Sequence, residues 1–209
     1  MHINNYFFYD VYNTPANPFP ANVERFTQDW ATFLIPNSET DPDKRKSYLP
    51  VIDTEAVKEL VAHVHSTGAK AMLYNMIYAV SLEEGVPNEV KSAIVRNLAD
   101  HFNFGKKGDV TATDIQQFLD PGDPNWQKFI IEVMTKAMKE GNFDGWQGDT
   151  MGSNWVEKVS EPGKSFSLSE HYPELATAAT EALKKEGYDF MINDISTGDA
   201  DRLGKTNVS

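Results

Sequence analysis

Short apolar segments that finish in polar or aromatic residues alternate along this chain with amphipathic helical stretches, which predicts an α/β fold with parallel strands. A helix pattern over Pro124 to Glu140, a tight turn at Gly141, a short apolar segment and the polar tip Gly148-Asp149 form one complete unit of a (β/α)8 TIM barrel. No Gly-x-Gly-x-x-Gly follows any strand, so the dinucleotide fingerprint of the doubly wound fold is missing. Roughly five strand–helix units can be counted, whereas a closed barrel needs eight strands. The expectation is therefore an incomplete barrel, with residues 1–209 as one unit and the amino-proximal part of a larger domain. An open doubly wound sheet, which tolerates fewer strands, is the alternative.

The elements follow in order. Tyr6 to Tyr9 is the first strand, ending in Asp10-Val11-Tyr12-Asn13, and a long Pro- and Asn-rich excursion to about Pro50 reads as a functional loop. Asp53 or Thr54 caps a helix running to about Ser66, with Val57, Leu60, Val61 and Val64 on one face and Gly68 beyond its end. Lys70 to Tyr74 is the second strand, closing in Asn75-Met76-Ile77-Tyr78. Pro87 to Asn103 reads as helix, and a third strand near Gln116 to Leu119 ends in Asp120-Pro121-Gly122-Asp123-Pro124. In the next helix Trp126, Phe129, Ile130, Val133, Met134, Ala137 and Met138 fall at three- and four-residue spacings. The fourth strand lies within Phe143 to Asp149. A last helix, Pro173 to Glu186, stops at Gly187 and leads into the fifth strand, Asp189 to Asn193, with Asp194 at its tip.

Composition narrows the partners. At 209 residues and 40% hydrophobic content the chain can bury a sizeable core, and no apolar run has the length of a membrane span. A net charge of −12 argues against nucleic acid and anionic membranes, both of which would repel it, and leaves neutral ligands unpenalised. Zero cysteines exclude disulfides and thiolate chemistry. The start, Met1-His2-Ile3-Asn4-Asn5, has neither the basic flank nor the apolar stretch of a signal peptide.

The richest segment is Phe143-Asp144-Gly145-Trp146-Gln147-Gly148-Asp149-Thr150-Met151-Gly152, which sets one carboxylate at a strand end among glycines and aromatics. An Asp after a Gly is also ordinary turn chemistry. Trp146 and Gln147 shift the balance, because a flat ring and an amide beside a carboxylate suit a sugar with an apolar face and many hydroxyls. Tyr9, Tyr12, Tyr74, Tyr78, Trp146 and Trp155 fall near strand tips where an aromatic can stack on a pyranose, although barrel filling serves Tyr9 and Tyr74 equally well. Asn75, Gln147 and Asn193 are stronger binding candidates, since an unpaired amide is costly to bury, and Asn193 with Asp194 can bracket one sugar.

Other chemistries fit less well. His63-Val64-His65 imitates a metal pair, but residues two apart on a helix face different ways. Asp41-Pro42-Asp43-Lys44 begins like a calcium loop without its glycine and terminal glutamate. Lys70 reads as a strand-start residue rather than a Schiff base.

Taken together, Phe8-Tyr9-Asp10, Lys70 to Tyr78, Asp120-Pro121 with Asn125-Trp126-Gln127, and Phe143 to Asp149 make the chain resemble glycoside hydrolase family 66, the dextranases and cycloisomaltooligosaccharide glucanotransferases. The resemblance covers most of the chain. It implies a (β/α)8 catalytic barrel, no cofactor, and retaining cleavage or transfer on α-1,6-linked glucose chains outside the cell. By the same match Asp149 is the nucleophile and Asp10 a further acid of the pocket. A retaining enzyme needs a second carboxyl group about 5–5.5 Å from the first. The resemblance implies a Glu on a strand beyond the one ending in Asn193-Asp194, and no such strand follows in this chain. Two alternatives remain: a sugar-binding remnant without catalysis, and a barrel hydrolase of another α-glucan.

Overall fold

The computed structural model describes residues 4–9, 11, 13–20, 22–27, 36, 38–81, 85–98, 116–150 and 155–193. Its frame is a sheet of four parallel strands, β1 (Asn5–Phe8), β4 (Lys70–Met76), β8 (Gly145–Asp149) and β11 (Asp189–Asn193), hydrogen-bonded in that order. Strand order therefore follows chain order with no reversal. A doubly wound sheet reverses direction at a switch point, so this winding argues against that alternative. Three helices join the strands: α2 (Thr54–Ser66), α3 (Pro124–Gly141) and α4 (Tyr172–Glu186). Each packs beside the strand that follows it, and α3 touches both α2 and α4, so the three form a single layer.

Helices α2 and α3 are set by their ends. Asp53 accepts from the Ala56 backbone N–H to cap α2, and Thr67 and Gly68 (φ 79°) end it, as expected. Asp123 caps α3 through Asn125 and Trp126 N–H, with Pro124 in the first turn where no N–H is needed. At the other end the left-handed residue is Asn142 (φ 59°), not Gly141, which stays helical. A Cβ on Gly141 would overlap the Phe143 ring, and that close approach explains the glycine. The buried stripe of α3, Trp126, Ile130, Met134, Ala137 and Met138, faces the sheet at helical spacing. Each fully buried large apolar side chain contributes about 1.5–3 kcal/mol. Trp126 adds a hydrogen bond from its indole N–H to the Ile77 carbonyl (2.8 Å), fixing the helix start beneath the end of β4.

Outside the frame the structure corrects several expectations. The excursion before Pro50 contains β2 (Arg25–Thr27) and α1 (Pro42–Ser47), and β2 pairs antiparallel with β3 (Val51–Asp53). Asp41, at the start of the calcium-like stretch, caps α1 through Asp43 and Lys44 N–H. The residues 116–118 do form a strand, β7 (Gln116–Phe118), but it pairs antiparallel with β5 (Ala79–Ser81) and never joins the parallel sheet. The parallel sheet thus has four strands among the described residues instead of the five expected. Pro87 to Asn97 is not one helix either: a 3-10 turn over Asn88–Ala93 gives way to β6 (Val95–Asn97). That strand pairs antiparallel with β9 (Trp155–Lys158), which pairs antiparallel with β10 (Ser165–Ser167). The β-branched Ile94-Val95 favours extended backbone, and the pairing with β9 supplies the ladder a helix would have supplied.

A buried charge cluster ties these inserts to the frame. Asp120 is fully buried and meets His171 Nδ1 at 2.5 Å, Lys158 Nζ at 2.8 Å and the Gly122 N–H at 2.8 Å, joining the loop before α3 to β9 and the start of α4. Burial alone would raise the Asp120 pKa, but the hydrogen bonds from His171 and Lys158 outweigh it and hold it below 3.8. The bond to Asp120 in turn lifts His171 above 6.5.

Stability should follow this cluster with pH. The His171 contribution is complete below its unfolded value of 6.5 and fades as pH rises through its higher folded value. That of Asp120 is complete above 3.8 and fades as pH falls through its lower folded value. Thermal melts should therefore show the cluster at full strength between pH 3.8 and 6.5, and Asp120→Ala should remove about 3–5 kcal/mol there, the usual loss when a buried pair is broken. Gly145→Ala tests the frame itself. Its Cβ would stand 2.5 Å from the Asp189 carbonyl and 2.6 Å from Met72 Cε, so urea denaturation should show a loss of about 1–3 kcal/mol.

Candidate active site

Strand geometry sorts the residues of β8 between two environments. Side chains alternate along a strand, so Trp146 and Gly148 face the helices while Gly145, Gln147 and Asp149 face the other side of the sheet. Trp146 is fully buried, packs edge-on against Phe190 (4.9 Å between centroids) and points its N–H at the Asn75 carbonyl. Gly148 has no side chain because a Cβ there would stand 2.7 Å from Ile77 Cγ2. The parallel pairing sets Tyr74 beside Gln147 and Met76 beside Asp149.

On the face turned away from the helices, termed the inner face below, these residues make a small polar network. The Tyr74 hydroxyl donates to Asp149 Oδ2 at 2.5 Å. Tyr9, just past the end of β1, stacks on Tyr74 with ring centroids 4.8 Å apart and accepts from Gln147 Nε2 at 2.7 Å. Asp149 is only 8% exposed, and its Oδ1, like Gln147 Oε1, is buried with no hydrogen-bond partner among the described residues. Burying an unpaired acceptor costs free energy, so two such oxygens on one face mark a place that expects a donor. Burial raises the Asp149 pKa above 3.8, and the Tyr74 hydroxyl with the Thr150 N–H pulls the other way without cancelling it.

Of the residues expected at the site, the structure brings Tyr74 and Gln147 to Asp149. Asn75 and Trp146 lie instead on the helix face. Asn75 is fully buried, donating to the Pro15 carbonyl (2.8 Å) and lying against Met134 Sδ (3.2 Å), so its amide is already used in packing α3. The backbone of Asn193 pairs in register with Asp149, which puts it at the same end of the sheet. Asp10, Asp194, Tyr12 and the side chain of Asn193 lie outside the described residues. Tyr78 is buried against Phe118, and Trp155 sits half exposed at the start of β9. For Tyr9 the sequence leaves sugar stacking and barrel filling both open; the β1–β4 pairing, which sets Phe7 beside Met72, puts Tyr9 by strand parity on the same face as Tyr74.

The remaining acids have other work. Asp120 and Asp123 hold Lys158 and His171, and Asp144 bonds His65 Nε2 (2.7 Å) and the Ala71 N–H (2.8 Å) at the opposite end of the strands. Asp189 pairs with Lys70, also at that far end. No group of three or more His, Cys, Asp or Glu residues is arranged to hold a metal ion among the described residues. What the inner face offers is one shielded carboxylate with a free oxygen, an amide carbonyl two residues before it, and two tyrosine rings. Such a set can bind hydroxyl groups and present a carboxylate to an electrophilic carbon.

Comparison with known proteins adds the family to which the chain is similar. The model of glycosyl hydrolase family 66 matches residues 1–209. The chain is similar to a dextranase of Streptococcus salivarius, 40% identical over 215 residues, which is 98% of this chain and 24% of that protein. It is also similar to a cycloisomaltooligosaccharide glucanotransferase of Niallia circulans, 28% identical over 76% of this chain and 16% of that protein. Among solved structures, a cycloisomaltooligosaccharide glucanotransferase from Paenibacillus sp. in complex with cycloisomaltoheptaose superposes with a TM-score of 0.66 at 18% identity, over 91% of this chain and 26% of that one. The chain thus spans about a quarter or less of the length of the relatives it matches. With a family match along its whole length and 40% identity across nearly all of it, the chain belongs to glycosyl hydrolase family 66.

Proposed function

We propose that this chain is the amino-proximal part of a (β/α)8 catalytic barrel that cleaves α-1,6-glucosidic bonds in dextran-type glucans, with Asp149 as nucleophile. The observation that carries the reading is the buried, half-satisfied Asp149 carboxylate at the carboxyl end of a parallel strand. In βα barrels that end of the sheet holds the chemistry. Membership in a family whose relatives are a dextranase and a glucanotransferase supports the α-glucan substrate. The negative net charge is compatible with a neutral polymer. An extracellular setting belongs to the same proposal and rests on the family resemblance alone.

Barrel closure explains the sheet's free edges. Neither β1 nor β11 has a second neighbour among the described residues, and Phe7 and Tyr9 are 41% and 42% exposed on the inner side. Parallel sheets are normally covered on both faces, and further strands would cover this one.

In the proposed double displacement, Asp149 Oδ1 bonds to C1 of a glucose unit as the C1–O glycosidic bond breaks. The electron pair leaves with the glycosidic oxygen, which takes a proton from a second carboxylic acid; water then reverses the sequence at C1. Asp149 is the one carboxylate that the described residues bring to the inner face at this end of the sheet, and we assign the proton donor to a Glu beyond the strands seen here. Without that donor the first step slows by about 10²–10⁴-fold, so the chain alone is expected to bind better than it turns over.

Asp149→Asn separates function from folding. In a polypeptide carrying this segment with its complete barrel, the substitution should lower dextran hydrolysis by about three orders of magnitude or more in a reducing-sugar assay. The same change should raise the melting temperature near pH 7. A carboxylate whose folded pKa is raised contributes stability only below its unfolded value, losing it as pH rises through the folded value, and Asn has no such loss. Retained hydrolysis in the variant would sink the assignment. For the chain alone, calorimetry should detect isomaltooligosaccharides. Binding without product in the completed barrel would favour a sugar-binding remnant, and cleavage of starch but not dextran would favour another α-glucan.

A further inference from the structure

Asp149 and Gln147 each present one oxygen that no described group uses, and in each case the other polar atom of the same side chain is held by a tyrosine hydroxyl. The two tyrosines are themselves in contact, with ring planes 33° apart and centroids at 4.8 Å. They come from different strand ends, Tyr9 after β1 and Tyr74 within β4, while both acceptors sit on β8. Three neighbouring parallel strands are therefore linked across one face by a chain of contacts: Gln147 to Tyr9, Tyr9 to Tyr74, Tyr74 to Asp149.

We propose that Tyr9 and Tyr74 act as a positioning pair, Tyr74 holding Asp149 Oδ2 so that Oδ1 is the attacking atom, and Tyr9 holding the Gln147 amide nitrogen so that Oε1 accepts from a sugar hydroxyl. This rests on Asp149 being the nucleophile. A carboxylate pinned at one oxygen cannot rotate about its Cβ–Cγ bond without breaking a charge-assisted hydrogen bond, the strong kind. Oδ1 is then the atom that bonds to C1 while the C1–O bond breaks, and Oδ2 becomes the ester carbonyl, still accepting from Tyr74. The phenol donates more strongly to a carboxylate than to an ester, so its role is to keep Asp149 ionised and aimed. An amide is a donor at one end and an acceptor at the other. With Nε2 committed to the Tyr9 oxygen, Gln147 is an acceptor toward the ligand and selects a hydroxyl that can donate. An analogue deoxygenated or O-methylated at that hydroxyl would leave Oε1 unpaired and be disfavoured.

The pairing can be read by NMR on the chain with a labelled Asp149 carboxyl carbon, whose titration faces Tyr74 and Tyr9 as the described ionisable neighbours on this face. Tyr74→Phe keeps the ring and removes the donor, so Asp149 should bind its proton about tenfold more tightly, the effect of losing one charge-assisted bond. Tyr9→Phe should leave that midpoint nearly unchanged yet speed hydrogen exchange of the Gln147 side-chain amide. In the unsubstituted chain, the Tyr74 Cζ resonance should move with the Asp149 midpoint, a measurement that needs no variant to fold. A Tyr74 resonance blind to Asp149 ionisation, or a Tyr74→Phe midpoint that is unchanged or lower in a folded protein, overturns the pair. The two readings fail separately. An unchanged midpoint with Asp149→Asn still inactive removes only the positioning role, whereas a raised midpoint with Asp149→Asn fully active removes the nucleophile assignment.

Discussion

The register of β8 between β4 and β11 is the constraint on which the site depends. Pairing Gly145 with Met72 and Asp149 with Met76 on one side, and Asp189 with Gly145 on the other, decides which β8 side chains see the helices and which see the inner face. A slip of one residue would exchange the faces, burying Asp149 among Phe190 and the helix layer and sending Trp146 to the inner side. Glycine enforces the register. Gly145 leaves room for the Asp189 carbonyl and Met72, and Gly148 for Ile77 and Phe190, so neither position tolerates the other residues of the strand.

That register also explains why a costly group is kept. An acid held under 10% exposed with one unpaired oxygen is costly to bury, and that burial pushes its pKa up. Much of the apolar work is done elsewhere, by Trp126, Ile130 and Met134 beneath the sheet and by the Trp146–Phe190 pair, which leaves room for polar groups beside Met72 and Met76 on the inner face. The Asp120–His171–Lys158 cluster serves a different purpose. It fastens β9 and the start of α4 to the loop before α3, holding the inserted antiparallel strands against the frame.

Helices were legible because their signals are redundant: α2 and α3 carry side-chain N-caps, an apolar stripe and a residue with positive φ just after the last turn. Short strands carry less. Gln116–Phe118 looked like a barrel strand because three buried residues in a row do not reveal whether their partner is parallel or antiparallel, and Pro87 to Asn97 looked helical because the pull of β9 is a tertiary effect. At the site the polar and aromatic residue types are visible in the sequence, but the side of the sheet each one takes depends on strand parity and register. Counting by twos back from Asp149 selects Gln147 and rejects Trp146; the register then selects Tyr74 and rejects Asn75. Tyr9 required the β1–β4 pairing, which no local pattern in the sequence contains.

The most direct test is covalent capture with 5-fluoro-α-D-glucosyl fluoride, followed by peptide mass spectrometry. Fluoride departs without a proton donor, so capture depends on the nucleophile and not on the second carboxylic acid. With the barrel complete, one fluoroglucosyl group should be found on the peptide containing Gly145 to Thr150, attached at Asp149. An adduct on a different carboxylate, or none at concentrations where the reagent binds, would contradict the account.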